Sequence, residues 1–127
     1  MNPEDILYIS AGAVAGALLR YAVTGQGFSW RGLPLSVLAV NLAGSLALGA
    51  AMALVQRLGF GGGFVLLVGV GFCGSLTTMS SFAFETAGLM DEGLLLLAGA
   101  GIALNVLGSL ASIFLGRAIT FALLGGA

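Results

Sequence analysis

The chain has 127 residues, of which 59% are hydrophobic and 7% are charged. A soluble domain carries roughly 25% charged residues, so this composition predicts an integral membrane protein. At about 20 apolar residues per span, four helices leave only short loops, and we predict one four-helix transmembrane domain over residues 1–127. The sequence has no Lys, no His and no basic run. That pattern excludes nucleic acid as a partner.

Polar and glycine-rich stretches divide the chain into four apolar segments. The predicted spans cover residues 5–24, 33–56, 64–90 and 94–124. The acidic start lacks the basic region of a cleavable signal peptide, so the first segment is interpreted as a mature helix. Trp30 and Arg31, in the first loop, form a pair typical of a membrane interface. Gly12 and Gly16 have the spacing of a helix-association motif.

The third segment contains a block that an ordinary membrane helix does not need. Residues 71–82 combine glycines, five hydroxyl side chains and two phenylalanines, and Glu85 follows one turn later. In hydrocarbon, unwound backbone and polar side chains persist only when they are buried in protein or line a wet cavity. The third helix is therefore predicted to be broken here, and this block is the candidate working part.

Polar side chains also recur at helical spacing in the second and fourth segments. Asn41 and Ser45 share one helix face, and Asn105, Ser109 and Ser112 share another. Such residues can simply join helices to one another. Two asparagines with two serine stripes exceed that need, and four helices are too few to enclose a wet path. We therefore expect a homodimer with the polar track at or near its interface.

The polar groups favour an anion as the solute. Hydroxyls, amides and aromatic ring edges offer positive hydrogens, whereas a cation path usually shows acidic rings. Hydroxyl oxygens and the carbonyls of a broken helix can also bind sodium, so that alternative stays open. Glu85 is given a structural or gating role. Arg20 is either a snorkelling anchor or a group that draws anions into a vestibule.

The charges of the loops leave the orientation in the membrane undecided. Arg57 and Arg117 mark one face, and Arg20 and Arg31 mark the other. Orientation normally follows an excess of basic residues on the cytoplasmic side, and this chain has none. The hypothesis is that the chain inserts in both orientations and that opposite copies pair. A single orientation, set by partners or by the acidic turn at Asp91, is the alternative.

The motifs resemble those of the Fluc family of small fluoride channels over essentially the whole chain. They are Gly16-x-x-x-Arg20, Asn41-Leu42-Ala43-Gly44, Gly71-Phe72-x-Gly74-Ser75-Leu76-Thr77-Thr78-x-Ser80-Ser81-Phe82 with Glu85, and Gly108-Ser109-Leu110. The resemblance implies an all-α membrane fold with four helices per subunit and an antiparallel, dual-topology homodimer. It also implies passive export of fluoride across the inner (plasma) membrane, which relieves fluoride toxicity.

The resemblance assigns roles to individual residues. The pore residues that it implies for fluoride are Asn41, Met79, Phe82, Ser81, Asn105 and Ser109. Arg20 corresponds to the basic residue near the pore entrance. Backbone carbonyls of Gly74 and Thr77 correspond to the ligands of a structural Na⁺ ion at the centre of the dimer.

Three of these positions depart from the family pattern. Met79 stands where Phe is usual, Ser81 where Thr is usual, and Asn105 where Ser is usual. A thioether is flexible and polarizable, and it lacks the positive edge of an aromatic ring. The departures therefore bear on how the ion is coordinated more than on the function.

Two other classes of membrane protein compete with a channel. A small multidrug exporter also has four short helices, but its proton exchange needs an acid embedded in the first helix, where this chain has only Glu4 and Asp5 at the very start. A membrane scaffold would explain the small residues but not the polar tracks. An enzyme is not expected, because the sequence has no His, no metal-ligand cluster and no nucleophile beside a base, so no catalytic residue is assigned.

Overall fold

A computed structural model of the chain describes residues 2–125. Within them, four helical stretches are long and apolar enough to cross a bilayer: Pro3–Thr24, Ser36–Leu58, Gly62–Asp91 and Leu95–Leu123. The predicted all-α membrane fold with four spans is confirmed. Of the domain predicted over residues 1–127, residues 1, 126 and 127 lie outside the described part.

The first two spans are regular helices joined by a hairpin that the sequence did not predict. Helix α1 is Pro3–Thr24 and helix α2 is Ser36–Leu58. Strands β1 (Ser29–Trp30) and β2 (Leu33–Pro34) pair antiparallel between them. Their two-residue turn has positive φ at both positions, 51° and 87°, as a primed hairpin turn requires. Helix α2 therefore begins three residues later than predicted.

The third span is interrupted, as predicted, and its first half is unusually wound. It runs through α3 (Gly62–Phe64), a π-helix (Val65–Cys73) and α4 (Gly74–Leu76). Thr77 and Thr78 are extended, and helix α5 (Met79–Asp91) begins after them. The break therefore falls inside the predicted polar block. Helix α6 (Leu95–Leu123) completes the fold.

Glycines hold two pairs of helices in direct backbone contact. Helix α1 packs mainly on the π-helix and α4, and α2 packs mainly on α6. A methyl group added at Gly12 would lie 2.8 Å from the Phe72 nitrogen, and one added at Gly16 would lie 3.0 Å from the Leu76 nitrogen. Added methyls at Gly49 and Gly116 would likewise strike the backbone of the facing helix. The association role predicted for Gly12 and Gly16 is confirmed.

The described basic side chains lie near the helix ends. The Arg57 guanidinium lies 5.0 Å from the Phe121 ring centroid, which ties the end of α2 to the end of α6. The Arg31 guanidinium lies 5.0 Å from the ring of Trp30, an exposed side chain in the hairpin. Since the four spans alternate in direction, Arg57 lies on one face of the bundle and Arg31 on the other.

Candidate functional site

The break in the third span is held by one side chain of α2. The backbone N–H of Thr78 donates to Asn41 Oδ1 at 2.8 Å, and Asn41 Nδ2 donates to the Thr78 carbonyl at 3.3 Å. An asparagine amide has one acceptor end and one donor end, so it can satisfy both backbone groups of an extended residue at once. Asn41 is buried, and leaving these backbone groups unpaired in the membrane would cost several kcal/mol.

Asn41 also joins the break to the fourth span. Its Nδ2 donates a second bond, of 2.9 Å, to Asn105 Oδ1 on α6. Asn105 Nδ2 in turn donates to the Gly101 carbonyl of its own helix at 3.2 Å. The two asparagines predicted from the sequence therefore touch each other and form one amide network across three spans.

The side chain of Thr78 begins helix α5. Its Oγ1 accepts the Ser81 N–H at 3.2 Å, which makes Thr78 the N-cap residue. The same hydroxyl donates to Ser81 Oγ at 3.1 Å and lies 3.1 Å from Ser80 Oγ. A capping hydroxyl satisfies one of the free N–H groups at a helix start. Three hydroxyls thus cluster in the first turn of α5.

Most of the predicted pore residues line one cavity of about 330 Å³ beside the break. Its walls include Asn41, Asn105, Ser109, Met79 and Phe82. The predicted sodium ligands Gly74 and Thr77 lie in the same wall. Asparagine, serine and threonine supply polar groups to this cavity, while Phe82 and Met79 supply apolar ones.

A second cavity, of about 420 Å³, lies on the other side of the first turn of α5. Thr24, Ser80, Ser81, Phe84 and Glu85 belong to its lining. Ser81 is therefore separated from the other predicted pore residues, although its hydroxyl is bonded to that of Thr78 in the first cavity. The hydroxyl cluster of residues 78, 80 and 81 connects the two cavities.

Met79 and Phe82, which correspond to the two pore phenylalanines of the family, differ in exposure. Phe82 is 8% exposed, and Met79 is 72% exposed although it lines the first cavity. Gly74 is exposed as well. This wall of the first cavity therefore opens to the outside of the subunit, where a lone chain would meet lipid.

Arg20 lines neither of these two cavities. It is half-buried near the end of α1, and its carbonyl accepts a bond from Thr24 Oγ1 at 2.8 Å. Thr24 does line the second cavity, so Arg20 lies one turn from that opening. Its assignment to the pore entrance stays a prediction, as do the pore and sodium assignments.

The sequence did not single out Thr78 within the polar block. Its backbone is the partner of Asn41 and its hydroxyl caps α5. Threonine is one of the residue types preferred at the N-cap of a helix, although Ser81, three residues later, is not the Glu or Gln that would complete a capping box. Four other hydroxyl residues in the same block, Ser75, Thr77, Ser80 and Ser81, are also acceptable N-cap types, so residue type alone did not single out Thr78.

Comparison with known proteins identifies the family of this chain. The sequence model of the family described as "CrcB-like protein, Camphor Resistance (CrcB)" matches residues 7–117. A protein of Methanocaldococcus jannaschii named "Fluoride-specific ion channel FluC" is 40% identical over 120 residues, which cover 94% of this chain and 97% of that protein.

Relatives from other organisms carry the same kind of name. A "Fluoride-specific ion channel FluC" of Shewanella amazonensis is 36% identical over 93% of this chain and 97% of its own length. "Fluoride-specific ion channel FluC 2" of Haloarcula marismortui is 42% identical over 89% of this chain and 87% of its own length. These matches confirm the resemblance found in the motifs, and the chain is a multi-pass membrane protein that belongs to the CrcB-like family.

Proposed function

We propose that this protein is a fluoride-selective ion channel that lets fluoride leave the cell passively across the plasma membrane and so relieves its toxicity. The observation that carries the proposal is the first cavity, in which two asparagines, Ser109 and Phe82 surround a break in a membrane span. Relatives that match nearly the full chain are named fluoride-specific ion channels, and none of the names quoted is that of an enzyme.

The chemistry of the cavity suits a small, strongly hydrated anion. Fluoride gives up its water only where several donors follow one another closely, and amide and hydroxyl hydrogens supply them. The edge of the Phe82 ring offers a further positive rim. None of the described residues that line this cavity carries a charged side chain, so no arginine or lysine there would bind the anion too tightly for it to leave.

Ion flux from liposomes that contain the purified protein tests this function. We expect rapid fluoride loss, with chloride retained, when valinomycin and potassium balance the charge and no proton gradient is imposed. A fluoride electrode outside the liposomes measures the rate. Protein-free liposomes are the control, and an absence of fluoride loss above their rate would contradict the proposal.

The same experiment separates a channel from the proton-coupled exporter considered above. An exporter would move its solute only with a pH gradient, and it would move drug cations. The acids of α1 are Glu4 and Asp5, in its first turn, so the membrane-embedded acid that such an exporter uses is not supplied by this helix. Family membership likewise favours the channel.

We further propose that two antiparallel copies form the working unit. Met79 and Gly74 leave one wall of the first cavity open to the outside of the subunit, where polar groups and free carbonyls would meet hydrocarbon. A second copy placed on this face would cover the opening. The near-equal distribution of arginines between the two faces supports insertion in both directions.

Insertion in both directions makes a prediction about the C-terminus. With a protease-cleavable tag added there, about half of the molecules in sealed inside-out vesicles are expected to be cleaved, because orientation follows an excess of basic residues that this chain lacks. Adding two lysines to the loop after α2 is expected to place most molecules in one orientation. The fraction of tags cleaved would then move far from one half. Uniform cleavage, or uniform protection, of the unaltered protein would contradict dual insertion.

A sodium ion held by the carbonyls of Gly74 and Thr77 belongs to the same proposal. In a continuous helix, the Gly74 carbonyl would accept from the Thr78 N–H and the Thr77 carbonyl from the Ser81 N–H. Here the Thr78 N–H donates to Asn41, and the Ser81 N–H donates to the Thr78 hydroxyl. Both carbonyls have thus lost their helical donors and are suited to a hard cation. When bound, sodium supplies positive charge beside the break.

A further inference from the structure

The hydrogen-bond network fixes which way both asparagine amides face. The atom that accepts the Thr78 N–H at 2.8 Å must be an oxygen, so Oδ1 of Asn41 lies at that N–H and Nδ2 lies between the Thr78 carbonyl and Asn105 of α6. The atom of Asn105 that meets Asn41 Nδ2 at 2.9 Å must then be an acceptor, which places Oδ1 of Asn105 there and leaves its Nδ2 pointing elsewhere. One backbone group therefore determines the orientation of both side chains.

The two asparagines differ in how many of their side-chain amide hydrogens are already used in hydrogen bonds. Asn41 Nδ2 carries two hydrogens, one of which goes to the Thr78 carbonyl and the other to Asn105. Asn105 Nδ2 also carries two, and only one goes to the Gly101 carbonyl. Asn41 has no hydrogen left for an anion, whereas Asn105 keeps one that no group in residues 2–125 accepts, and Asn105 lines the cavity.

From this count we infer that Asn41 is a positioning residue rather than a ligand of fluoride, and that the free N–H of Asn105 is the amide donor to the anion. Asn41 acts through its partners. It stabilises the extended backbone at Thr78, and by donating to Oδ1 of Asn105 it fixes the direction in which the remaining N–H of Asn105 points. The inference rests on the proposed fluoride function for its second half only.

The first half is tested without fluoride. Replacing Asn41 with leucine removes the acceptor of the Thr78 N–H, and hydrogen exchange at that backbone amide is expected to quicken by on the order of tenfold or more. Ser45→Ala is the matched control, since Ser45 lies one turn further along the same face of α2 and lines the same cavity. An unchanged Thr78 exchange rate in Asn41→Leu would overturn the positioning role.

The second half is tested by solid-state NMR. The chain has three asparagines, Asn2, Asn41 and Asn105, so protein labelled with ¹⁵N-asparagine gives three side-chain amide signals, assigned with Asn2→Ser and Asn105→Leu. In liposomes loaded with fluoride, ¹⁹F is expected to dephase the Asn105 amide nitrogen and to leave that of Asn41 unchanged. Dephasing of Asn41 equal to or greater than that of Asn105, or no dephasing of Asn105, would overturn the inference.

Flux measurements complete the test. Asn41→Leu and Asn105→Leu are each expected to slow fluoride by about tenfold, and the double variant by about the same factor, because residues of one network are not additive. If the double variant instead slowed fluoride by about a hundredfold, the product of the two single effects, each asparagine would contact the anion independently. If the unmodified protein carries no fluoride, the proposed function fails along with the Asn105 donor, while the exchange rate at Thr78 still decides the role of Asn41.

Discussion

Replacing Phe82 with isoleucine is expected to slow fluoride flux by about tenfold or more. Phe82 is buried in the wall of the first cavity, beside the asparagine network, where the edge of its ring can face the anion. Isoleucine keeps most of the apolar volume but has no positive rim, and the attraction between such a rim and an anion is stronger where water is excluded. A fluoride electrode on liposomes measures the rate.

Phe114→Ile provides the matched control for this change. Phe114 lies on α6, is 63% exposed and lines neither cavity, so its ring faces lipid or a partner. Its replacement is expected to leave the flux within about twofold, as surface substitutions usually do. Equal flux in Phe82→Ile and the unmodified protein would remove Phe82 from the conduction path. Equal slowing in both variants would point to a general loss of folding.

Replacing Gly12 with alanine is expected to destabilise the fold by about 1–3 kcal/mol, the usual cost of overpacking. The added methyl group would strike the Leu67 carbonyl oxygen and lie 2.8 Å from the Phe72 nitrogen, and neither backbone atom can move away without separating α1 from the π-helix. The midpoint of thermal unfolding in detergent measures the loss, and fluoride flux is expected to fall with it.

The same substitution at Gly99 separates this clash from the general effect of removing a glycine. A methyl group at Gly99, which is exposed on α6, would meet no described atom within 4 Å. Alanine is favoured over glycine in a helix by up to about 1 kcal/mol, so Gly99→Ala is expected to leave the midpoint unchanged or to raise it. A Gly12→Ala protein as stable as Gly99→Ala would contradict the close packing of α1.

Much of the fold could be predicted from local sequence. Charge depletion and about 20 apolar residues per segment gave the four spans, and the hydroxyls of residues 75–81 gave the position of the break. The hairpin between α1 and α2 was missed because Arg31 adopts φ 51°, a conformation that the residue type does not suggest. The π-helix was missed because its sequence, like that of an α-helix, is a continuous apolar run.

The site could be predicted as a set of residues but not as a network. Helical spacing placed Asn41 and Asn105 on polar faces, and both do line the first cavity. What spacing could not give is that the two amides touch, because 64 residues separate them and only the packing of α2 on α6 brings them together. The bond between Asn41 and Thr78, 37 residues apart, is of the same kind.

The backbone contacts at the glycines of α1 and α2 restrict how the length of this chain can change in evolution. One extra residue ahead of Gly12 within α1 would turn the rest of that helix by about 100° and shift it by about 1.5 Å, so that side chains would face the Phe72 backbone where hydrogen atoms now lie. Insertions and deletions should therefore accumulate in the hairpin, around residues 59–61 and at residues 92–94, while the spacing between the paired glycines and the break remains constant.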